Sequence, residues 1–524
     1  MVSMHEPCDE NVIRTGRVSA PCSRASGKWV LAATILGSSM AFIDGTVVNV
    51  ALPALQAHFH ANLADVQWVV EAYALLLAAF LLVGGSLGDH YGRRRVFLIG
   101  IVLFAVASAW CGLARNIHEL VVARAAQGFG AALLVPGSLA LISSAFPEEE
   151  RGRAIGTWSG FSAITAAIGP VLGGWLIDNV SWRAVFFINI PLAIAVIVLA
   201  LRYVEESSGN RKGQLDWAAA VLTTTGLGAL VFALIESSRL TFTHPLVIAS
   251  LVISTGCFIS FVLLEKRRSN PMLPLELFRN RTFTGANLLT LFLYGALGGT
   301  LFFFPMNLIQ VQRYAPTQAG AALLPFILIM FVLSRWSGGL VQRFGAKIPL
   351  VVGPLIAGLG FALFIVPSLG GSYWQTFFPA VVVLGIGMAV SVAPLTTTVM
   401  NSVAQDRVGT ASGVNNAVSR VASLIAVAVL GIVMLQSFGR ALDTRSADLN
   451  LPPAAQESLN RERTKLAGAN ISWSAPETRV TLREAIDRSF VDAFRRVMMI
   501  GAALALASAI TAGALIDPTK RAEN

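Results

Sequence analysis

The chain has 524 residues, of which 55% are hydrophobic and only 13% charged, and its mean hydropathy is +0.67. Soluble globular proteins carry about a quarter of their residues as charged side chains, so this composition excludes an ordinary water-soluble domain. The net charge of +10 does not indicate nucleic-acid binding, because the basic residues lie in short breaks between apolar runs.

Apolar runs that are long enough to cross a bilayer recur along the whole chain. A crossing helix needs ~20 residues for ~30 Å of hydrocarbon. Such runs begin near residues 29, 66, 96, 118, 153, 183, 215, 245, 282, 318, 348, 376, 409 and 490. The ten-residue alternating strands of a membrane barrel are missing from the sequence, so helices must satisfy the backbone in lipid. We therefore predict an all-α integral membrane protein with about fourteen transmembrane helices.

The distribution of Lys and Arg predicts the orientation. With a cytoplasmic N-terminus, the inner segments hold 22 Lys and Arg residues, and the six short outer loops hold four. The positive-inside rule then places both termini in the cytoplasm of a multi-pass protein of the plasma (bacterial inner) membrane. The segment 437–489 is rich in charges of both signs, and we predict that it forms a partly ordered external flap.

Two ionisable residues lie well inside predicted spans. Asp44 is ~22 Å along the first span from its start, where an ionised carboxylate costs several kcal/mol unless it is protonated, hydrated or paired. Arg124 in span 4 requires a permanent partner or a watery cavity. We predict that ionised Asp44 pairs with Arg124 or with a cationic substrate and that protonation releases either. The simpler alternative is that Asp44 binds the backbone at a kink beside Gly45.

Two further residues are candidates for the same pathway. Glu71 enters span 2 from the outer face and reaches a depth similar to that of Asp44, so three ionisable groups could form one cluster. The alternative, which we favour for Glu71, is that its side chain snorkels to water. Arg420, near mid-depth in span 13, is a second candidate for lining the pathway.

A polar segment of eleven residues follows span 2. We expect this segment to act as a gating loop, through Gly85, Asp89, Gly92, Arg93 and Arg94. The glycines would allow a tight turn, and Asp89 could accept hydrogen bonds from a helix N-terminus or an arginine and so latch an inner gate. The alternative is a simple positive-inside loop, which explains the arginines and leaves Asp89 unexplained.

A degenerate repeat of this segment lies 253 positions later, at residues 338–347, so that Gly92 corresponds to Gly345. A repeat at this offset indicates two related halves, the plan of many secondary transporters. The predicted division is a cytoplasmic tail 1–28, a six-helix half 29–203, linkers with two inserted helices 204–281, a six-helix half 282–516 that includes the external loop 437–489, and a tail 517–524.

Span 5 contains a cluster of small residues. They are Gly169, Pro170, Gly173 and Gly174, preceded in the same span by Gly156 and Gly160. Small residues four positions apart allow very close helix contact, and a proline removes one backbone hydrogen bond. We predict a bent, closely packed helix between the halves; the alternative is a mere packing groove.

Five segments together resemble the major facilitator superfamily, specifically its fourteen-span drug:proton antiporter branch. They are Asp44–Pro53, Gly85–Arg95, Arg124–Gly130, Gly169–Gly174 and Trp182–Pro191. The resemblance implies two six-helix halves with two inserted helices. It also implies that Asp44 is the branch's span 1 acid and that Arg124 takes part in proton coupling. By the same resemblance, Asp89, Arg93 and Arg94 belong to the inner gating loop.

The resemblance further marks Gly169 to Gly174 as a segment typical of antiporters, so it implies export in exchange for protons. We expect an amphipathic, cationic or neutral drug as substrate. We do not expect a strict preference for dications, because predicted spans 9 to 13 have no Asp or Glu well inside the membrane. The expected partners are this substrate, protons and the bilayer. We expect no cofactor beyond the proton gradient, no metal, no nucleic acid and no obligate protein partner.

A second hypothesis is a dedicated exporter or importer of one metabolite, such as a siderophore, amino acid or sugar, because one fold hosts many substrates. A membrane enzyme or receptor would need a catalytic constellation or a sizeable soluble output domain. The sequence shows neither, and we expect the protein not to be an enzyme.

Overall fold

The computed structural model describes residues 24–207, 217–268, 273–404, 407–447, 449 and 451–517, and within these residues it is helical, with no strand. The α-helices are α1 Arg24–Phe59, α2 Leu63–Tyr91, α3 Arg93–Leu113, α4 Ile117–Ala145, α5 Glu148–Asn179, α6 Ala184–Phe187, α7 Asn189–Tyr203, α8 Trp217–Leu240, α9 Pro245–Arg267, α10 Arg281–Met306, α11 Pro316–Ala321, α12 Leu324–Gly338, α13 Leu340–Phe344, α14 Lys347–Leu363, α15 Tyr373–Thr376, α16 Phe378–Asn401, α17 Val408–Ala447, α18 Pro453–Glu462 and α19 Pro476–Leu515. Leu275–Arg279 and Arg463–Gly468 are 3-10 helices, and Asn307–Val311 is π-helical.

The predicted transmembrane helices are present. In the described part of the chain, thirteen helices are long and apolar enough to cross a membrane. The eleventh predicted span corresponds to α14, which is apolar but shorter, with 17 residues. Together they occupy all fourteen predicted positions, which confirms the all-α membrane fold.

Asparagine caps set where several helices begin. Asn62 accepts a hydrogen bond from the amide of Asp65, whose carboxylate accepts one from the Asn62 amide in return, which forms a capping box at the start of α2. Asn116 caps α4 and Asn280 caps α10 in the same way, through the third amide of each helix. These caps satisfy backbone donors at the points where the chain enters the membrane.

The repeated segment has the same turn in both halves. Gly92 has φ +105° between α2 and α3, and Gly345 has φ +74° between α13 and α14, which is a conformation that favours glycine. The sequence prediction of an eleven-residue loop is wrong, because all of it except Gly92 is helical. Gly85 lies inside α2, where a Cβ atom would make an ordinary contact of 3.6 Å with Pro136, so it forms no turn.

The two inserted helices, α8 and α9, pack on each other and on both halves. Leu227 of α8 lies in one apolar cluster with Leu75 of α2 and Leu424 of α17. In contrast, α9 exposes apolar side chains along much of its length, including Val252 and Ile259, as expected for a helix that faces lipid. The inserted pair is therefore a peripheral unit beside the contact between α2 and α17.

We call α1–α7 the N-terminal half and α10–α19 the C-terminal half. The Asp178 carboxylate at the end of α5 accepts a hydrogen bond from the Thr317 amide of α11, at 2.9 Å. Gln310 Nε2 donates to Gln56 Oε1 at 2.7 Å, and Gln67 Nε2 donates to the Val427 carbonyl at 2.8 Å. These hydrogen bonds lie at the end of the molecule that carries the segment between α17 and α19, which we call the outer side, so the halves are in contact there.

The external flap is shorter than the predicted 437–489. Helix α17 continues to Ala447 and α19 begins at Pro476, because both helices extend several turns beyond the apolar region. The intervening segment covers the outer contact between the halves: the Lys465 carbonyl accepts a hydrogen bond from Gln56 Nε2 at 3.0 Å, and Leu466 is fully buried. The flap is thus ordered by contacts with the N-terminal half as well as with its own.

Candidate functional site

Asp44 and Arg124 form a buried ion pair inside the N-terminal half. Arg124 Nη1 on α4 donates to Asp44 Oδ2 on α1. The Asp44 side chain is 0% exposed and that of Arg124 is 1% exposed. The structure thus places together the two residues that the sequence predicted to pair. Because removing one partner would leave an uncompensated buried charge, the state of each residue constrains the other.

Two neutral side chains, which the sequence analysis missed, complete the surroundings of the Asp44 carboxylate. Gln127 Nε2 donates to Asp44 Oδ1 at 2.8 Å, and its own oxygen accepts from Arg124 Nη1 at 2.7 Å. Asn189 Nδ2 lies 3.3 Å from Asp44 Oδ1 and also donates to Ser108 Oγ at 3.0 Å. Gln127 could have been found from its position three residues after Arg124, which puts both on one helix face.

Arg124 has several partners besides Asp44. Its Nε donates to the Val69 carbonyl at 3.0 Å, and its guanidinium lies 4.2 Å from the ring centroid of Tyr73, a cation–π distance. The Tyr73 hydroxyl donates to the Ala41 carbonyl at 3.3 Å and so fixes the ring between α1 and α2. The guanidinium therefore keeps neutral partners even when Asp44 carries no charge.

Glu71 does not belong to this cluster. It is two positions from both Val69 and Tyr73 on α2 and therefore points to the opposite side of the helix. It shares its helix face with Trp68 and Leu75, which pack towards α8 and α17. Glu71 is 1% exposed and its Oε2 has no hydrogen-bond partner. Both sequence expectations, a three-residue cluster and a side chain that snorkels to water, are wrong for this residue.

Arg420 lies on the other side of the boundary between the halves. It is on α17, and its side chain is partly accessible and lies in the neighbourhood of Tyr73. The structure brings Arg420 to the neighbourhood of the Asp44–Arg124 pair without joining it to that pair.

The inner segment carries an ion pair within one half. Asp89 Oδ1 accepts a hydrogen bond from Arg93 Nε at 2.9 Å, and Arg93 Nη2 lies 2.8 Å from the same oxygen. Arg93 Nη1 also lies 3.5 Å from the Ala140 carbonyl of α4. The sequence prediction that Asp89 accepts from an arginine is confirmed, and the contacts join α2, α3 and α4.

Glu206 is a further residue of this inner site that the sequence analysis missed. Its carboxylate accepts hydrogen bonds from the backbone amides of Arg94 and Arg95, at 3.0 and 3.2 Å. Arg94 Nη1 in turn donates to the Val204 carbonyl at 2.9 Å. A carboxylate on free amides at a helix N-terminus is favourable. The linker after α7 is therefore fastened to the start of α3.

The small residues of α5 lie between the two halves. A Cβ atom on Gly173 would lie 2.0 Å from Val47 Cγ2 on α1, and one on Gly174 would lie 2.4 Å from the Pro316 carbonyl oxygen on α11. From the other side, a Cβ on Gly320 would lie 2.1 Å from the Pro170 carbonyl oxygen. These distances leave no space for a side chain, so α5 and α11 touch backbone to backbone.

The other small residues of α5 differ in how closely they approach neighbouring helices. A Cβ on Gly169 would lie 2.2 Å from Thr46 Oγ1, so Gly169 joins the contact with α1. Gly156 meets nothing within 4 Å, and Gly160 meets only Phe331 at 4.0 Å. Close helix contact is thus confined to Gly169–Gly174, and the sequence expectation of close packing along the whole span is wrong at its inner end.

A cavity of about 390 Å³ lies on the outer side, between the flap and the outer ends of the halves. Polar side chains from both halves line it, including Gln56, Gln310, Arg313 and Arg483. Both arginines bind the carboxylate of Asp487, at 2.7 and 3.2 Å. The Asp487 carboxylate thus faces two guanidinium groups, whereas Arg420 faces no carboxylate within the described residues.

Comparison with known proteins gives concordant results. The family model described as Major Facilitator Superfamily matches residues 34–427. The chain is 40% identical over 411 residues to the multidrug resistance protein Stp of Mycobacterium tuberculosis, covering 77% of this chain and 75% of that protein. It is 32% identical over 507 residues to the tetracenomycin C resistance and export protein of Streptomyces glaucescens, covering 95% and 94%. Its fold is similar to an inward-facing, unoccupied crystal structure of a bacterial homologue of the human lysosomal transporter Spinster, with a TM-score of 0.65, 17% identity and coverage of 94% and 98%.

Proposed function

The chain belongs to the major facilitator superfamily, and from that premise we propose that it exports amphipathic drugs or antibiotics from the cell in exchange for protons. Relatives that are at least 30% identical over most of their length are named as multidrug resistance and antibiotic export proteins, which supports this substrate class. The protein is a multi-pass membrane protein. We propose the plasma (bacterial inner) membrane as its location, with both termini in the cytoplasm, because Lys and Arg are concentrated in the predicted inner segments.

The single observation that carries the proposal is the buried Asp44–Arg124 pair. A proton can bind Asp44 and neutralise it, and Arg124 then keeps the Val69 carbonyl and the Gln127 oxygen as partners. In this mechanism the protonated and ionised forms of Asp44 favour different arrangements of α1 and α4. Drug binding from the cytoplasm promotes loss of the proton, and proton entry from outside resets the site.

The two halves, taken as residues 29–203 and 282–516, are proposed to rock against each other as this exchange proceeds. The outer contact between α5 and α11 is closed, so a substrate reaches the site from the cytoplasm in this arrangement. Opening to the outside must separate Gly174 from Pro316 and Asp178 from Thr317. We propose that the Asp89–Arg93 pair and Glu206 keep the inner ends of α2, α3 and α7 together as one rigid body during this movement.

Replacement of Asp44 by Asn tests the coupling role. In inside-out vesicles with an acidic interior, the wild-type protein should accumulate fluorescent dyes, and a collapsed pH gradient should abolish accumulation. Asp44→Asn should reduce accumulation to the level of empty vesicles, because the amide has similar shape and cannot carry the exchanged proton. Protein content of the membranes is measured in parallel.

Glu457→Gln is the matched control, because it makes the same chemical change at an exposed carboxylate of the flap helix α18. It should leave accumulation unchanged. Gradient-driven accumulation by Asp44→Asn at the wild-type rate would show that protons are not exchanged at this residue.

A further inference from the structure

Among the buried charges near the Asp44–Arg124 pair that the structure describes, Arg420 is a positive charge without a protein counterion. Asp44 and Arg124 neutralise each other. Glu71 is buried, and its Oε2 has no hydrogen-bond partner. Arg420 remains: across the part of the chain that the structure describes, it makes no ion pair and no hydrogen bond through its guanidinium. An arginine at such depth is hard to neutralise by loss of its proton and requires an anion or water.

The register between α2 and α17 places Arg420 beside the proposed coupling site. Gln67 on α2 binds the Val427 carbonyl on α17, and the two helices run in opposite directions. Tyr73 lies six residues after Gln67 on α2, which is ~9 Å along the helix, and Arg420 lies seven residues before Val427 on α17, which is ~10 Å. Both displacements point in the same direction because the helices are antiparallel. The two residues therefore lie at the same depth.

The accessible side of α17 carries polar side chains and no acid. Ser412, Asn416, Ser419 and Ser423 follow one another at spacings of three and four residues, which is one face of a helix. Asn416 is exposed, and Arg420 borders this face and is partly accessible. The Ser419 and Ser423 hydroxyls already donate to the Asn416 and Tyr294 carbonyls, so the Asn416 amide and the Arg420 guanidinium are the donors that can face a molecule entering from the predicted cytoplasmic side.

The sequence on either side of Arg420 in the C-terminal half is nearly free of acids. From Leu277 to Leu442 the sequence contains a single acidic residue, Asp406, which lies two positions before the start of α17. Arg420 is twelve residues into that helix, ~18 Å from its start. A cationic substrate would face an uncompensated guanidinium at this depth, whereas an anionic one would neutralise it.

We propose that Arg420 is the recognition residue for an acidic group of the substrate, so that the transported molecules include amphipathic anions that carry a carboxylate, phenolate or sulfonate. The proposal rests on the proposed export function and extends it to a substrate class that differs from the cationic or neutral drugs expected from the sequence. With Asp44 ionised and the anion bound to Arg420, Arg124 and Arg420 would each have a counterion. A guanidinium binds such oxygen atoms through paired N–H donors.

Two dyes of one ring system and opposite charge test the proposal: carboxyfluorescein, an anion, and rhodamine 6G, a cation. Binding to purified protein is measured by fluorescence polarisation, and transport is measured in proteoliposomes with a pH gradient. Arg420→Gln should weaken carboxyfluorescein binding by at least roughly tenfold and leave rhodamine 6G binding unchanged or stronger. Arg420→Lys, which keeps the charge, should bind the anion with intermediate strength.

Arg440→Gln is the matched control, because Arg440 is exposed at the outer end of the same helix; it should not change binding of either dye. Equal loss of both dyes in Arg420→Gln would overturn the proposal and make Arg420 a structural residue. Preference of the wild-type protein for rhodamine 6G over carboxyfluorescein would overturn it while leaving export intact. A wild-type protein that neither binds nor moves either dye would refute the export function and this inference together.

Discussion

At the scale of single residues, the buried carboxylate of Asp44 is held by groups with distinct tasks. Arg124 supplies the opposite charge, whereas Gln127 and Asn189 supply neutral donors. Neutral donors remain in place when the carboxylate is protonated and can rotate to suit either form. The site can therefore change its charge without losing its polar contacts, which is a requirement for a group that exchanges protons inside a membrane.

Arginine and lysine are not equivalent at position 124. The guanidinium uses Nε for the Val69 carbonyl and Nη1 for Asp44 and Gln127, and it lies over the Tyr73 ring. A lysine ammonium is a compact point charge and cannot reproduce this geometry. We predict that Arg124→Lys lowers drug accumulation in vesicles by at least roughly tenfold although the charge is retained.

The matched control for this exchange is Arg202→Lys, at the inner end of α7, where the guanidinium lies 5.8 Å from the Tyr203 ring. It should export at the wild-type rate. If Arg124→Lys also exported at that rate, a positive charge at position 124 would be sufficient for export, and the hydrogen bonds of the guanidinium would have no role.

At the scale of helices, α5 is the element that limits how closely the halves approach. Its outer segment touches α1 on one face and α11 on the other, through glycines that leave no room for a Cβ atom. We predict that Gly174→Val prevents closure of the outer contact, because its side chain would overlap the Pro316 carbonyl. Overpacking of this kind costs about 1–3 kcal/mol, so the thermal unfolding midpoint in detergent should fall and drug accumulation should decrease.

Gly256→Val is the control for this helix substitution, since a Cβ on Gly256 of α9 meets nothing within 4 Å. It should unfold at the wild-type temperature or slightly above it, because valine reduces the backbone entropy of the unfolded chain. Normal stability and transport in Gly174→Val would contradict the assigned role of α5.

The helices themselves could be predicted from the sequence because lipid leaves the backbone few alternatives. The pairing of Asp44 with Arg124 followed from the cost of burying each charge alone. Glu71 was misplaced because depth estimates ignore the direction in which a side chain points around the helix. Gln127 could have been found from its spacing to Arg124 on one helix face. Asn189 was missed because its role depends on a tertiary contact with Asp44 that no local pattern contains.

At the scale of the whole molecule, both the inserted helices and the flap cross the boundary between the halves. Leu227 of α8 packs with residues of α2 and α17, and Lys465 of the flap binds Gln56 of α1. A rocking movement has to slide or release these contacts as well as the outer contact of α5. The state of Asp44 must therefore influence contacts of both halves for protons to drive export.

Proton release on dye binding tests most directly whether Asp44 carries the exchanged proton. Purified protein in a weakly buffered detergent solution is mixed with carboxyfluorescein or rhodamine 6G, and released protons are measured with a glass electrode over a range of pH. We predict release from the wild-type protein and from Glu457→Gln, and none from Asp44→Asn. Release from Asp44→Asn equal to that of the wild-type protein would contradict the proposal that the proton is exchanged at Asp44.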